Sequence, residues 1–151
     1  MNYRYLTASR KGHIVTCTLS NPPTQTITAG GVSEIHQLLD DIESDRSVRV
    51  LVFTGAGDGV FIAHYEVGEL SDSAQRNIET DSLTITTGES EPELSEMHQL
   101  CLRLEQISAI TIAAMNGTAT GGGFELCLAC DFRLLAEGRY RVGLPETSIG
   151  I

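Results

Sequence analysis

The sequence predicts an α/β domain with parallel-type sheets flanked by helices, and three observations carry that expectation. Residues 48–54, Val-Arg-Val-Leu-Val-Phe-Thr, form a β-branched, apolar run of the kind buried in a parallel sheet. Residues 109–115 form a second such run. Before the first of them, residues 29–44 carry Val32, Ile35, Leu38, Leu39 and Ile42 at helical spacing. An extended segment at 13–20, this helix and the strand at 48–54, in that order, imply a right-handed crossover joining a parallel pair.

At the start of the chain, residues 3–9 and 13–20 read as extended segments, with Arg10-Lys11-Gly12 as the turn of a β-hairpin. Asn21-Pro22-Pro23 ends the hairpin. Gly55-Ala56-Gly57-Asp58-Gly59 then takes the buried strand into a loop over a sheet edge. Residues 71–91 are polar with little periodicity and read as a mobile surface loop. Pro92 stands near the start of a helical segment whose apolar face is Leu94, Met97, Leu100, Cys101 and Leu104. Past the second buried strand, Asn116-Gly117 turns the chain toward Gly121-Gly122-Gly123, which opens a helix reaching to about Cys130. Residues 132–135 and 140–142 are expected as strands, and Pro145-Glu146 as a turn.

A length of 151 residues fits one domain, residues 1–151, with a core of its own. The hydrophobic fraction is 41% with a mean hydropathy of −0.01, and no stretch approaches the ~20 apolar residues of a membrane span. No membrane is expected as partner. Residues 1–5 lack the apolar core of a signal peptide, so the expected location is the cytoplasm. Ten Lys plus Arg against twenty Asp plus Glu give a net charge of −10, which repels a phosphate backbone and argues against nucleic acid. Lys11 is the sole lysine, so an anionic ligand must be met by arginines, backbone amides and helix ends.

Cys17, Cys101, Cys127 and Cys130 show no disulfide-framework spacing. Cys127-x-x-Cys130 has apolar neighbours and no second pair to complete four ligands, so the cysteines are expected in the core and no metal site is expected.

The segment richest in chemistry is Ala114-Met115-Asn116-Gly117-Thr118-Ala119-Thr120-Gly121-Gly122-Gly123-Phe124-Glu125-Leu126. Consecutive glycines occur where a backbone needs unusual dihedrals or where a ligand must approach main-chain amides. Here they precede a helix, whose first amides lack internal partners and can hold a developing oxyanion. A loop packed tightly under another element is the alternative that glycine content alone leaves open. A P-loop is excluded by the absence of Gly-Lys-Ser/Thr, and a dinucleotide fingerprint by the lack of Gly-x-Gly-x-x-Gly in a first βαβ unit.

Three segments together resemble the signature of the crotonase (enoyl-CoA hydratase/isomerase) superfamily. They are Asn116-Gly117-x-Ala119-x-Gly121-Gly122-Gly123-x-Glu125-Leu126, Ala129-Cys130-Asp131-Phe132-Arg133 and Gly143-Leu144-Pro145-Glu146. Upstream, residues 50–55, Phe61-Ile62-Ala63 and Glu69-Leu70 are similar to the family's first oxyanion-loop region. The resemblance runs from about His13 to the last residue and implies a crotonase-like spiral of ββα units. Family members continue past the Pro-Glu turn into a helical segment that covers the acyl pocket and builds trimers, and this segment is expected to be absent here.

Residue by residue, the resemblance implies an oxyanion hole made by the backbone amides of Tyr65 and Gly122, with Ala63, His64, Gly121 and Gly123 against the substrate. It places Glu125 and Glu146 at the two carboxylate positions that hydratases use to orient water and move protons. Two carboxyls sharing a partly dry pocket do not both ionise easily, which suits acid and base roles. Taken without the resemblance, Glu125 is also an acid favoured by a helix N-terminus, and Glu146 a solvated turn residue. The implied partner is an acyl-CoA thioester, with coenzyme A entering as part of the substrate and no separate cofactor. The implied assembly is a homo-oligomer, a trimer or a dimer of trimers.

The sequence departs from the family in its first oxyanion loop, where His64-Tyr65-Glu66 stands in place of the common Gly-Ala-Asp and no basic residue follows in Val67-Gly68-Glu69. The expected activity is hydration of a 2-enoyl-CoA. An isomerase, a C–C-cleaving hydrolase and a non-catalytic binding subunit are the competing readings.

Overall fold

The computed structural model describes residues 3–66, 68–69 and 94–148. The polar stretch 71–91 and Pro92 lie outside them. The chain opens on a hairpin of β1 (Leu6–Lys11) and β2 (Ile14–Leu19), paired antiparallel with Leu6 opposite Leu19. Its turn is Gly12-His13 rather than Arg10-Lys11-Gly12, because Gly12 supplies the left-handed φ of +61°.

Helix α1 (Ala29–Ser44) buries Val32, Ile35, Leu38, Leu39 and Ile42, the residues whose spacing predicts it. Thr28 caps it, its side chain accepting from the Gly31 amide at 3.0 Å. The crossover delivers β3 (Val50–Gly55) parallel to β2, with Cys17 opposite Phe53. Helix α2 (Glu96–Gln106) turns Met97, Leu100 and Leu104 inward, whereas Cys101 is half-buried and Leu94 exposed. It packs on α1 through Arg103, whose guanidinium reaches Asp40 at 2.5 Å, Glu43 at 2.8 Å and the His36 carbonyl at 3.1 Å.

Strand β5 (Ile110–Met115) lies parallel to β3, and β7 (Phe132–Leu135) parallel to β5, giving the sheet order β1-β2-β3-β5-β7. A second, parallel sheet has the order β4-β6-β8, from β4 (Val60–Ile62), β6 (Thr118–Thr120) and β8 (Val142–Gly143). Neither β4 nor β6 is foreseen from the sequence, and β8 sits later than residues 140–142. Strands of two or three residues are too short to display a period of two. Helix α3 (Gly122–Leu128) joins the sheets, and a 3-10 turn (Glu146–Ser148) stands where the Pro145-Glu146 turn is expected.

Several family-like residues serve this frame. The Asn116 side chain accepts from the Gly55 amide at 3.0 Å and donates to the Gly57 carbonyl at 2.8 Å, tying the loop after β3 to the turn between β5 and β6. A Cβ on Gly117 would stand 1.9 Å from the Gly59 carbonyl carbon, so the two backbones touch there. Asp131 accepts from the amide and hydroxyl of buried Thr111 at 2.8 and 2.9 Å, registering β7 on β5. Arg133 donates to the Cys130 carbonyl at 2.6 Å, at the end of α3. Cys17, Cys127 and Cys130 are buried in the core, as their apolar neighbours imply. Among the described residues no helix is long and apolar enough to cross a membrane, and no group of His, Cys, Asp or Glu is placed to hold a metal ion.

Candidate active site

The centre of the site is the entry into α3. Gly121 holds φ +50° and ψ −132°, and its carbonyl accepts from the amides of Phe124 at 2.8 Å and Glu125 at 2.9 Å. Its own amide donates to the Gly143 carbonyl at 3.1 Å, anchoring the helix start to β8. The next amide, that of buried Gly122, occupies the first helical position and has no acceptor among the described residues.

A second amide approaches from the loop after β4. Tyr65 forms a parallel bridge with Ile27, in which the Ile27 amide donates to the His64 carbonyl at 2.9 Å and the Glu66 amide to the Ile27 carbonyl at 2.8 Å. Backbone groups alternate along an extended chain, so the Tyr65 amide faces away from Ile27. It too has no acceptor among the described residues. The loop is held by its acids: Glu66 accepts from the Thr26 hydroxyl at 3.0 Å and Glu69 from the Ala29 amide at 2.7 Å, at the N-terminus of α1. The Thr120 hydroxyl donates to the Ala63 carbonyl on the other side.

These two segments meet: a Cβ on Gly122 would stand 3.1 Å from the Tyr65 Cβ. A side chain at 122 would require the Tyr65 side chain to give way by a few tenths of an ångström. The Tyr65 ring is half-buried, and burial, with Glu69 adding to it, raises its phenol pKa above the ordinary value.

Beside this contact lies a cavity of about 760 Å³. It is lined by Ala63, His64, Tyr65, Thr120, Gly121 and Gly122 and by Arg141, Val142, Leu144, Pro145, Glu146 and Ser148. Glu146 is half-buried, not a solvated turn residue, and its Oε1 reaches to within 2.7 Å of the position a Cβ on Gly121 would take. His64 is exposed along the rim, where its Nδ1 donates to the Tyr65 carbonyl at 2.5 Å.

Glu125 and Gly123, also expected at the site, are not among the described residues lining this cavity. Glu125 is half-buried in the first turn of α3. Its carboxylate acts on Cys101 of α2, whose thiol is pushed up to about 11 by burial first and by Glu125 next. Gly123 packs under β4, where an added Cβ would lie 2.6 Å from the Ile62 Cβ. Conversely, Arg141 is a cavity residue that the sequence does not single out. No ion pair engages its guanidinium among the described residues, and the alternation of a two-residue strand is too brief to say which face it takes.

Residues 9–151 match the family model described as enoyl-CoA hydratase/isomerase. The chain belongs to that family, and its fold is the crotonase fold. It is 33% identical over 138 residues to a probable enoyl-CoA hydratase of Bacillus subtilis, the match covering 91% of this chain and 48% of that protein. The solved enoyl-CoA hydratase from Bacillus anthracis superposes with a TM-score of 0.78 at 26% identity, over 98% of this chain and 53% of that one. Human mitochondrial delta3-delta2-enoyl-CoA isomerase superposes with a TM-score of 0.79 at 26% identity, over 98% of this chain and 54% of that one. The chain thus spans about half the length of each of these relatives.

Proposed function

We propose that this chain carries the oxyanion hole and a proton-transfer carboxylate of an enoyl-CoA hydratase acting on an acyl-CoA thioester. The observation that supports this most is the juxtaposition at Gly121 of Glu146 with the amides of Tyr65 and Gly122, which have no acceptor among the described residues. The thioester oxygen would accept from the two amides, which favour the enolate over the ground-state carbonyl because charge builds up on that oxygen. Glu146, across the cavity, would take a proton from water as its oxygen bonds to Cβ and return that proton to Cα. The C=C π pair passes to the thioester oxygen and back, so one water adds across the double bond and the carboxylate is regenerated.

Arg141 supports an anionic, CoA-bearing ligand, because it brings positive charge to the cavity of a chain whose net charge is −10. A homo-oligomer belongs to the same reading, supported by the apolar side chains along β7, where Phe132 is 57% and Leu134 62% exposed.

The test is turnover of a short trans-2-enoyl-CoA, read as loss of the conjugated thioester absorbance. Glu146→Gln is expected to lower kcat by about 10²–10⁴-fold. Full activity in that variant, or no turnover by the unaltered chain, overturns the reading. The isomerase superposition favours a second reading, in which Glu146 moves a proton between Cα and Cγ without water. Formation of 2-enoyl from 3-enoyl thioester, with no hydroxyacyl product, selects it.

A further inference from the structure

We infer that Thr26 is a positioning residue of the oxyanion hole: through its hydrogen bond to Glu66 it holds the Tyr65 amide in place. The inference rests on the hydratase reading above and assigns a residue outside the cavity to the same site.

The loop after β4 is attached backbone to backbone to the segment before α1. The Ala63 amide donates to the Gln25 carbonyl at 2.8 Å, the Ile27 amide to the His64 carbonyl at 2.9 Å and the Glu66 amide to the Ile27 carbonyl at 2.8 Å. Residues 25–27 and 63–66 therefore run side by side as a short parallel ladder. Because a peptide unit is planar, the bond that holds the His64 carbonyl also aims the Tyr65 amide, on the same plane, away from Ile27.

Side chains alternate across such a ladder. Ile27 and Tyr65 project to one side, where Ile27 Cγ2 lies 3.5 Å and Tyr65 Cβ 3.1 Å from the place of an added Cβ on Gly122. Thr26 and Glu66 project to the other, where the Thr26 hydroxyl donates to Glu66 Oε2 at 3.0 Å. One face of the ladder rests on the start of α3, and the opposite face is clamped by this single side-chain bond. Tyr65, one residue before Glu66, lies between the two.

The Thr26 hydroxyl is built into its surroundings. Thr26 is only 5% exposed. An ionised carboxylate only accepts, so the one hydroxyl hydrogen of Thr26 goes to Glu66, and Thr24 Oγ1, 3.0 Å from Thr26 Oγ1, is the donor of that second pair. Asn21 Nδ2 donates to the same oxygen at 3.0 Å and to the Thr26 carbonyl at 3.2 Å. Two donors thus converge on a hydroxyl that donates to a carboxylate, and each bond polarises the next. An oxyanion donor loses much of its effect when displaced by about an ångström, whereas a ligand held by its remote parts still binds.

The experiment measures hydration of a trans-2-enoyl-CoA by the full chain, and exchange of the Cα hydrogen of a saturated acyl-CoA with D2O. Both pass through the same enolate; in the exchange one Cα proton leaves and a deuteron returns. Thr26→Val, which puts a methyl where the hydroxyl stands, is expected to lower hydration kcat by about 10–10²-fold with KM within about threefold, and exchange by a similar factor. Thr26→Ser, which restores the hydroxyl, is expected to stay within about threefold of the unaltered chain in both reactions. Thr26→Val combined with Glu66→Ala is expected to be no slower than the slower single variant, since both changes remove one bond. Each variant is assayed below its measured unfolding transition, so that lowered stability alone leaves kcat in place. If Thr26→Val does not fold, Glu66→Ala carries the same expectation. Unchanged kcat in Thr26→Val, a loss as deep in Thr26→Ser, a loss confined to hydration, or multiplying losses in the double variant overturns the role of Thr26 and leaves the hydratase reading standing. An unaltered chain that catalyses neither reaction overturns both.

Discussion

Glu146 Oε1 stands 2.7 Å from the point that a Cβ on Gly121 would occupy, and Gly121 itself holds φ +50°. The two facts make position 121 doubly intolerant of a side chain. The backbone there turns sharply to expose the Gly122 amide, and the vacated volume is where the carboxylate rests. Gly121→Ala is expected to destabilise the fold by about 1–3 kcal/mol from backbone strain and to push Glu146 away from the cavity wall. Urea denaturation checks the first effect, and kcat with trans-2-enoyl-CoA, expected to fall by about 10² or more, the second.

Asn116 is expected to act on stability through two loops at once. Asn116→Ala strands the Gly55 amide and the Gly57 carbonyl, at a cost of about 1–3 kcal/mol. Asn116→Asp keeps the acceptor for Gly55 and loses the donor to Gly57, so its unfolding midpoint is expected to fall between those of the alanine variant and the unaltered chain.

Arg141 is expected to act on binding rather than on chemistry. Removing its charge with Arg141→Gln raises KM for an acyl-CoA by about tenfold with kcat little changed, since a charge-assisted contact to a remote anionic group is made equally in ground and transition states. The difference between the two proteins shrinks as salt is added. Steady-state kinetics at low and high ionic strength read both effects.

The buried thiols set an alkaline limit. Burial raises Cys17, Cys127 and Cys130 from an ordinary value of 9.0 to about 12. Between these values the unfolded chain loses protons that the folded chain retains, so folding stability is full below pH 9 and falls as pH rises toward 12. Denaturation midpoints measured from pH 7 to 11 are expected to decline at the alkaline end, with a shallower slope in Cys17→Ala.

Much of the frame is legible in the residues themselves. The buried face of α1 follows from apolar periodicity, and the parallel pairing of β2 with β3 from the strand-helix-strand order that requires a crossover. The glycine triplet likewise announces a special backbone. Part of what it announces is packing: Gly123 makes room for Ile62, and Asn116-Gly117 holds two loops together, so residues that resemble a functional signature also build the scaffold.

The sequence alone determined the family resemblance, the helix α1, the core strands and the two amides expected to form an oxyanion hole. Tertiary structure alone decided that β4, β6 and β8 stack into a second sheet, and that Tyr65 meets Gly122 at contact distance. It also decided that Arg141 lines the same cavity as Glu146 and His64. The reason is physical. Periodicity reports whether a side chain is buried along its own element, whereas membership of a cavity depends on which wall another element supplies, here a two-residue strand and a 3-10 turn whose local patterns are too short to carry a direction.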